Sequence, residues 1–367
     1  MAFRGFLLSP CVKLTELTLR NFRNIASLDI ELPETGVVII GGNGQGKTNL
    51  LEAIYYLVLF RSFRGAKDRE LVRFGTSGFF VAGSAAARVT AGYEVAGQKK
   101  KVTIDRVPVP RMGAAVGRVL AVSFSPTDRE IVVGGPAWRR RYLDVLLSLS
   151  APEYLAQLTA MRAALKQRNA ALRAGRGDAA QAFDAPFAAA GSAVRAARVA
   201  WVTQSADRFQ STSAALGERG EAAMTYESRS DEEHGGAADL EQSLAGAIDR
   251  DIRRGMTTVG PHRDELRLTV EGRNLRRYGS AGQHRTAAIT LRLMEAATLA
   301  SATGEVPIAL YDDVFAELDA ERQVSLLTLI QDTLPGQAIV TAPRDSEVPP
   351  ALLERPRWVM TGGQLER

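Results

Sequence analysis

The chain has 367 residues, enough for two to three domains with a core that needs no disulfide or metal to hold it. Its 46 basic residues outnumber its 41 acidic ones by five, a surplus too small to prove an acidic partner. A single cysteine excludes a disulfide framework, and no run of about 18 apolar residues spells a membrane span.

From the N-terminus, Met1–Pro10 has a short apolar patch without the long core of a signal peptide, and reads as a loose extension. Cys11 fits a reducing cytosol and reads as a buried bystander. Val12–Arg20 and Ala26–Glu31 have the alternating or β-branched character of strands. Val37–Ile40 is a continuous apolar run ending in glycines, as buried parallel strands are. A helix starts at Gly46 and runs through Val58. Phe79–Ala85, Lys101–Asp105 and Val119–Phe124 read as further strands. The middle changes character. Apolar residues recur at helical spacing over Glu153–Arg173, and Phe183, Phe187, Ala190, Val194, Ala197 and Trp201 form a short seam at steps of four and three. The simplest picture is a helical hairpin packed on itself. Leu216–Ala238 is polar loop with a strand over Met224–Glu227. Asp239 with Gln242 resembles a capping box for a helix ending at Arg254, before Gly255. The last third alternates strand and helix: Leu266–Val270, Gln283–Ser301, Pro307–Tyr311, Leu318–Leu334 and Ala338–Thr341.

Chemistry concentrates in three places. Gly41-Gly42-Asn43-Gly44-Gln45-Gly46-Lys47-Thr48 has the spacing of a phosphate-binding loop, and it lies between an apolar strand and a helix, as such loops do. Its glycines let backbone N–H groups turn toward phosphate oxygens, and the helix start adds partial positive charge. Lys47 would reach the β- and γ-phosphates, and the Thr48 hydroxyl would hold Mg²⁺. The apolar strand 307–311 ends in Asp312-Asp313. Adjacent carboxylates repel unless a cation is near, so Asp312 reads as a metal ligand and Asp313 as the base that polarises water. Third, Ser280-Ala281-Gly282-Gln283 opens a helix. It suits a second phosphate patch serving a nucleotide on another copy of the chain, and equally a plain helix cap. The three histidines, 234, 262 and 284, lack ligand spacing, so no zinc site is expected.

Together with Glu317-Leu318-Asp319, these motifs resemble the ABC-type ATPase heads of the SMC group. Asn21-Phe22-Arg23-Asn24, the run Gly44–Ile54, Arg61-Ser62-Phe63-Arg64, Ser125-Pro126 with Asp128, Arg139–Asp144 and Gly260–Asp264 resemble the RecF family more closely, in order and from Val12 onward. The resemblance implies an α/β fold: an ABC-type P-loop ATPase head of mixed sheets with flanking helices, residues 1–138 and 257–367, interrupted by a helical lobe with a short coiled-coil hairpin, residues 139–256. It implies ATP on Gly41 to Thr48 and Asn49, with Arg23 at the nucleotide and Mg²⁺ on Thr48 and Asp312. Ser280, Gly282 and Gln283 would close on the ATP of a partner copy, and Ala316–Asp319 would cross the dimer. Catalysis would fall to Lys47, Asp312, Asp313, Ser280 and Gln283. The implied activity is a slow DNA-stimulated ATPase of recombinational repair in the cytoplasm. It would dimerise on ATP and act with RecO and RecR to load RecA at gaps or single/double-strand junctions. Two departures stand out. The glutamine usual before the helical lobe is missing, with Ser125–Asp128 near its place. The switch histidine after the last strand is also missing, with Thr341-Ala342 there instead.

The basic side carries the remaining expectation. Only seven of the 46 cations are Lys, leaving 39 Arg, which suits two-pronged phosphate contact and is equally what a GC-rich genome yields. Arg61, Arg64, Arg139, Arg140, Arg276 and Arg277 are the candidate DNA contacts. Arg253, Arg254 and Arg273 stand beside them, and residues 145–210 carry a local excess of four positive charges. Arg139–Arg141 equally suits a structural role, because Tyr142 and Leu143 resume a buried pattern at once. Two rival functions are a nucleotide-gated scaffold and a transporter ATPase subunit. The 233 positions between Lys47 and Ser280 disfavour the transporter.

Overall fold

The computed structural model describes residues 11–228, 236–315, 320–352 and 354–367. The extension read at Met1–Pro10, His234 and the dimer-crossing loop Ala316–Asp319 lie outside them.

The chain opens with β1 (Glu16–Phe22), β2 (Ile25–Glu31) and β3 (Gly36–Ile40), then α1 (Lys47–Leu59). Next come β4 (Gly78–Ser84), β5 (Arg88–Glu94), β6 (Lys99–Ile104), β7 (Val107–Pro108) and β8 (Ala121–Phe124). Three long helices follow: α2 (Pro136–Ser150), α3 (Pro152–Arg173) and α4 (Asp184–Ala215). After β9 (Ala222–Glu227) come α5 (Ala237–Gly246), α6 (Ile248–Arg254), β10 (Glu265–Val270), β11 (Arg273–Asn274) and α7 (Ala281–Thr303). The chain ends with β12 (Ile308–Asp312), α8 (Ala320–Thr333), β13 (Ala338–Ala342), β14 (Arg357–Thr361) and β15 (Gln364–Glu366).

These elements form two compact units, Met1–Asp128 with Glu295–Arg367, and Arg129–Met294. The first holds two six-stranded sheets. One is antiparallel, in the order β2-β1-β4-β5-β6-β7. Leu17 and Leu19 of β1 turn inward, as the two-residue period requires, and Phe22 is buried just past Asn21, whose φ of 54° shifts the alternation by one residue. The other sheet, β15-β14-β3-β13-β12-β8, is parallel except for its edge strand β15. Its central strands are buried nearly throughout because both faces are covered, and they are apolar up to Asp312 and Thr341 at their C-terminal ends.

The second unit takes in more chain than the sequence boundaries of 139 and 256. β10 pairs with β9 along six residues, Arg139 forms a two-pronged ion pair with Glu265, and the Tyr142 hydroxyl donates to Leu291 O. Residues 257–294 therefore belong with the lobe, and so does Ser280. The hairpin seam is seated on Leu158, Met161, Phe187, Ala190, Val194 and Trp201, all buried. It also buries three arginines that no apolar pattern foretells. Arg168 pairs with Asp184 and Asp251, Arg195 with Asp264, and Arg198 with Asp144. The expected positive excess of this arm is thus partly spent inside it. The helix expected to run unbroken to Arg254 pauses at Ala247, and its first turn is capped differently. Asp239 is the third helical residue and accepts Gly236 N–H at 2.7 Å, so it reaches back rather than starting the helix. The strand β5 and the hairpin β14–β15 are additions to the sequence reading.

Candidate nucleotide site

The C-terminal ends of β3, β13, β12 and β8 lie side by side, the edge where open α/β sheets hold ligands. β3 leads into the glycine loop and α1. Gly46 has φ 116°, and an added Cβ would lie 2.8 Å from Asn24 Oδ1, so only glycine fits. Asn24 buttresses the loop by donating to Gln45 O at 3.0 Å and accepting from Asn49 Nδ2 at 2.9 Å. The far end of the chain supports it too. Gly363 N–H donates to Gln45 O and Gly362 N–H to Gln45 Oε1. Asn24 as a loop support and the β14–β15 turn were not singled out from sequence. The glycine pair at 362–363 is the signal that could have marked the turn.

Lys47 is buried, and its ammonium donates to Gly41 O at 2.7 Å and Gly42 O at 3.3 Å, with Asp313 Oδ2 3.7 Å away. The Thr48 hydroxyl donates to Asp312 Oδ1 at 2.9 Å. Loop and acidic strand therefore meet, although 264 residues separate these two side chains. Burial is the chief influence on Asp312. It pushes the carboxyl up to about 6, with Asp313 adding to the rise and donation from Thr48 and Thr341 opposing it. A buried carboxylate beside a second one, with a threonine hydroxyl in contact, is a fitting set of hard oxygen donors for Mg²⁺. Thr341 also touches both carboxylates: its Oγ lies 3.1 Å from Asp312 Oδ1 and 3.2 Å from Asp313 Oδ1. Ser125, near the expected glutamine place, closes a local turn: its N–H donates to Asp128 Oδ2 at 2.7 Å.

Arg23 is not a free cation at the loop. Its guanidinium grips Glu52 of α1 at 2.9 and 3.1 Å and donates to Glu70 O, and Ser62 donates to the same buried Glu52. In this arrangement it anchors α1. Ser280 and Gln283 cap α7 reciprocally: Gln283 N–H donates to Ser280 Oγ at 3.2 Å, and Ser280 N–H donates to Gln283 Oε1 at 3.0 Å. The capping alternative is therefore realised. Ser280 remains exposed at a helix start, with Gly282 in the same turn. The candidate DNA arginines divide. Arg139 is buried, held by Glu265 and by the carbonyls of Ile131, Val132 and Gly134, so it leaves the DNA set. Arg140 is half-buried and donates to Asp264 O. Arg61, Arg64, Arg276 and Arg277 are exposed.

Comparison with known proteins now bears on this geometry. A family model described as an AAA domain matches residues 16–110. The "DNA replication and repair protein RecF" of Myxococcus xanthus is 34% identical, over 96% of this chain and 97% of its own. That of Frankia alni is 37% identical, over 96% and 99%. The chain belongs to the RecF family. A solved structure described as "the recombination mediator protein RecF-ATP in RecFOR pathway" superposes with a TM-score of 0.86 at 30% identity, over 99% of both chains. An Smc head domain from Pyrococcus furiosus, at 12% identity and TM-score 0.55, shares the fold. The ABC-type ATPase fold expected of a RecF-family chain is thus the observed one. Among the described residues, no helix is long and apolar enough to cross a membrane.

Proposed function

We propose that this RecF-family chain is an ATP-dependent DNA-binding protein of recombinational repair. One observation carries the reading: Lys47, Thr48, Asp312 and Asp313 converge at one sheet edge. The solved relative described as RecF-ATP supports the choice of nucleotide. ATP lies along Gly41–Asn49, with loop N–H groups and the start of α1 facing its phosphates. Lys47 turns from its own loop carbonyls to the β- and γ-phosphates. Thr48 and Asp312 hold Mg²⁺, which when bound offsets phosphate charge. Asp313 accepts the proton of the attacking water.

Two copies meet head to head on ATP. Each presents the exposed start of α7, with Ser280, Gly282 and Gln283, to the other's nucleotide, and slow hydrolysis releases them. DNA at gaps or single/double-strand junctions follows the exposed Arg61, Arg64, Arg276 and Arg277, with Arg140 partly available, through phosphate contacts that carry no sequence. The pathway named for the solved relative supports RecO- and RecR-type partners. The chain acts with them in the cytoplasm, with RecA loading downstream.

Light scattering with ATP, with and without gapped duplex, tests the assembly. Lys47→Ala abolishes nucleotide binding. Ser280→Arg keeps ATP binding but blocks dimerisation and turnover. A Ser280→Arg chain that still dimerises on ATP would falsify the shared-site reading.

A further inference from the structure

We propose that Thr341 is a positioning residue for hydrolysis: its one buried hydroxyl sets the orientation of the Asp313 carboxylate. The inference rests on the ATPase reading above. Strand order puts β13 between β3, which carries the glycine loop, and β12, which carries the acidic pair. The register sets Thr341 opposite Asp312 on one side and Ile39 on the other. Its side chain is 1% exposed, so water does not compete for its hydroxyl.

A hydroxyl has one proton to give and lone pairs to accept with. Thr341 Oγ accepts the Asp313 N–H at 3.1 Å. Its own proton faces three acceptors: Asp312 Oδ1 at 3.1 Å, Asp313 Oδ1 at 3.2 Å and Tyr311 O at 3.3 Å. The hydroxyl therefore meets the backbone and the carboxylate of Asp313 together.

Asp313 needs such a tether. Its φ of 50° places it in the left-handed region just past the end of β12, where ladder geometry no longer directs it. Its side chain is 27% exposed, and its ion-pair contact with Lys47 is 3.7 Å long, beyond hydrogen-bond range. Without the threonine hydroxyl the carboxylate is free to swing into solvent, away from any water it must polarise.

The test measures ATP hydrolysis by wild type, Lys47→Ala, Thr341→Val, Thr341→Ala and Thr341→Ser, and ATP binding to each in EDTA. Valine keeps the shape and removes the hydroxyl, alanine removes it without crowding, and serine restores it. We expect kcat to fall roughly 10- to 100-fold in Thr341→Val and Thr341→Ala, the scale of one lost hydrogen bond to a charged group. KM for ATP and metal-free ATP binding change little, and Thr341→Ser recovers most of kcat. Wild-type kcat in either hydroxyl-less variant overturns the proposal. So does a Thr341→Ser as slow as Thr341→Val, or metal-free binding lost in step with turnover. A wild type that binds no ATP, or matches Lys47→Ala in turnover, fails the ATPase reading itself, so the two failures are distinct.

Discussion

The Thr48 hydroxyl and the Asp312 carboxylate lie 2.9 Å apart, joining the first turn of α1 to the tip of β12. Asp312 is 5% exposed, and burial holds its proton up to about 6. Such a carboxylate depends on its donors, and a cation completes the set. Thr48→Ala removes one donor and one candidate metal oxygen together. We expect magnesium-dependent ATP affinity to drop roughly tenfold, the scale of one charge-assisted hydrogen bond. Affinity in EDTA should change little, because the loop N–H groups and Lys47 remain. Titration of a fluorescent ATP analogue with and without Mg²⁺ checks this. An equal drop under both conditions would place Thr48 in phosphate binding alone.

Gly46 offers a backbone counterpart. Its φ of 116° lies outside the range of L side chains, and a Cβ would collide with the Asn24 amide. That amide holds Gln45 O and Asn49, so the clash spreads along the loop. Gly46→Ala should cost about 1–3 kcal/mol in urea unfolding and abolish ATP binding. An alanine variant with unchanged stability would show that the loop relaxes easily.

The glycine loop, the acidic strand end and most strands of the first unit were legible because each rests on local pattern: an apolar run, a glycine spacing, a carboxylate pair. What escaped depends on neighbours distant in sequence. Thr341 gains meaning only from the strand order that sets β13 between β3 and β12. Asn24 looks like any loop asparagine until the chain folds it over Gly46. The arginines fail as a surface signal for a related reason. Composition counts Arg139, Arg168, Arg195 and Arg198 as positive charge, yet each is at most 4% exposed and bound to a carboxylate. Ser280 shows the opposite case: both sequence readings share one geometry, since a capped helix start is also what a phosphate would meet.

The Arg168 cluster should govern the stability of the second unit. Its guanidinium is fully buried and donates to Asp184 Oδ1 and Asp251 Oδ2, both at 2.6 Å, and to Thr257 Oγ at 2.9 Å. Arg168→Met leaves two buried carboxylates without their cation. Breaking a buried pair on one side costs about 3–5 kcal/mol, whereas neutralising all partners costs far less. We therefore expect a large fall in the urea midpoint for Arg168→Met, and substantial recovery when Asp184→Asn and Asp251→Asn are added. If the triple variant is no more stable than the single, packing rather than charge explains the loss.

His262 should give the unfolding curve a specific pH dependence. Its ring packs edge-on against Phe187, Nε2 meets Thr257 O at 3.1 Å, and Nδ1 is buried with no hydrogen-bond partner among the described residues. Burial, above all, pulls its pKa down to about 4, from 6.5; the neighbouring Arg263 and Arg140 push the same way, while the Thr257 carbonyl and Asp264 oppose. The unfolded chain then binds the proton more readily than the folded one. Its neutral form is tolerated above pH 6.5, and stability is lost as pH falls from 6.5 toward 4, at most about 1.4 kcal/mol per pH unit. Asp312 runs the other way. Its folded pKa of about 6 lies above its ordinary 3.8, so acidification over nearly the same window relieves a strain. The two slopes oppose each other in the wild type, and a bare pH profile would hide both. The informative quantity is the difference between wild type and His262→Gln in urea unfolding at each pH. Asp312 cancels from that difference, which should stay flat above pH 7 and shift against the wild type as pH falls through 6 and 5. A difference that is constant from pH 7 to pH 4 would mean that His262 takes up its proton equally well folded and unfolded.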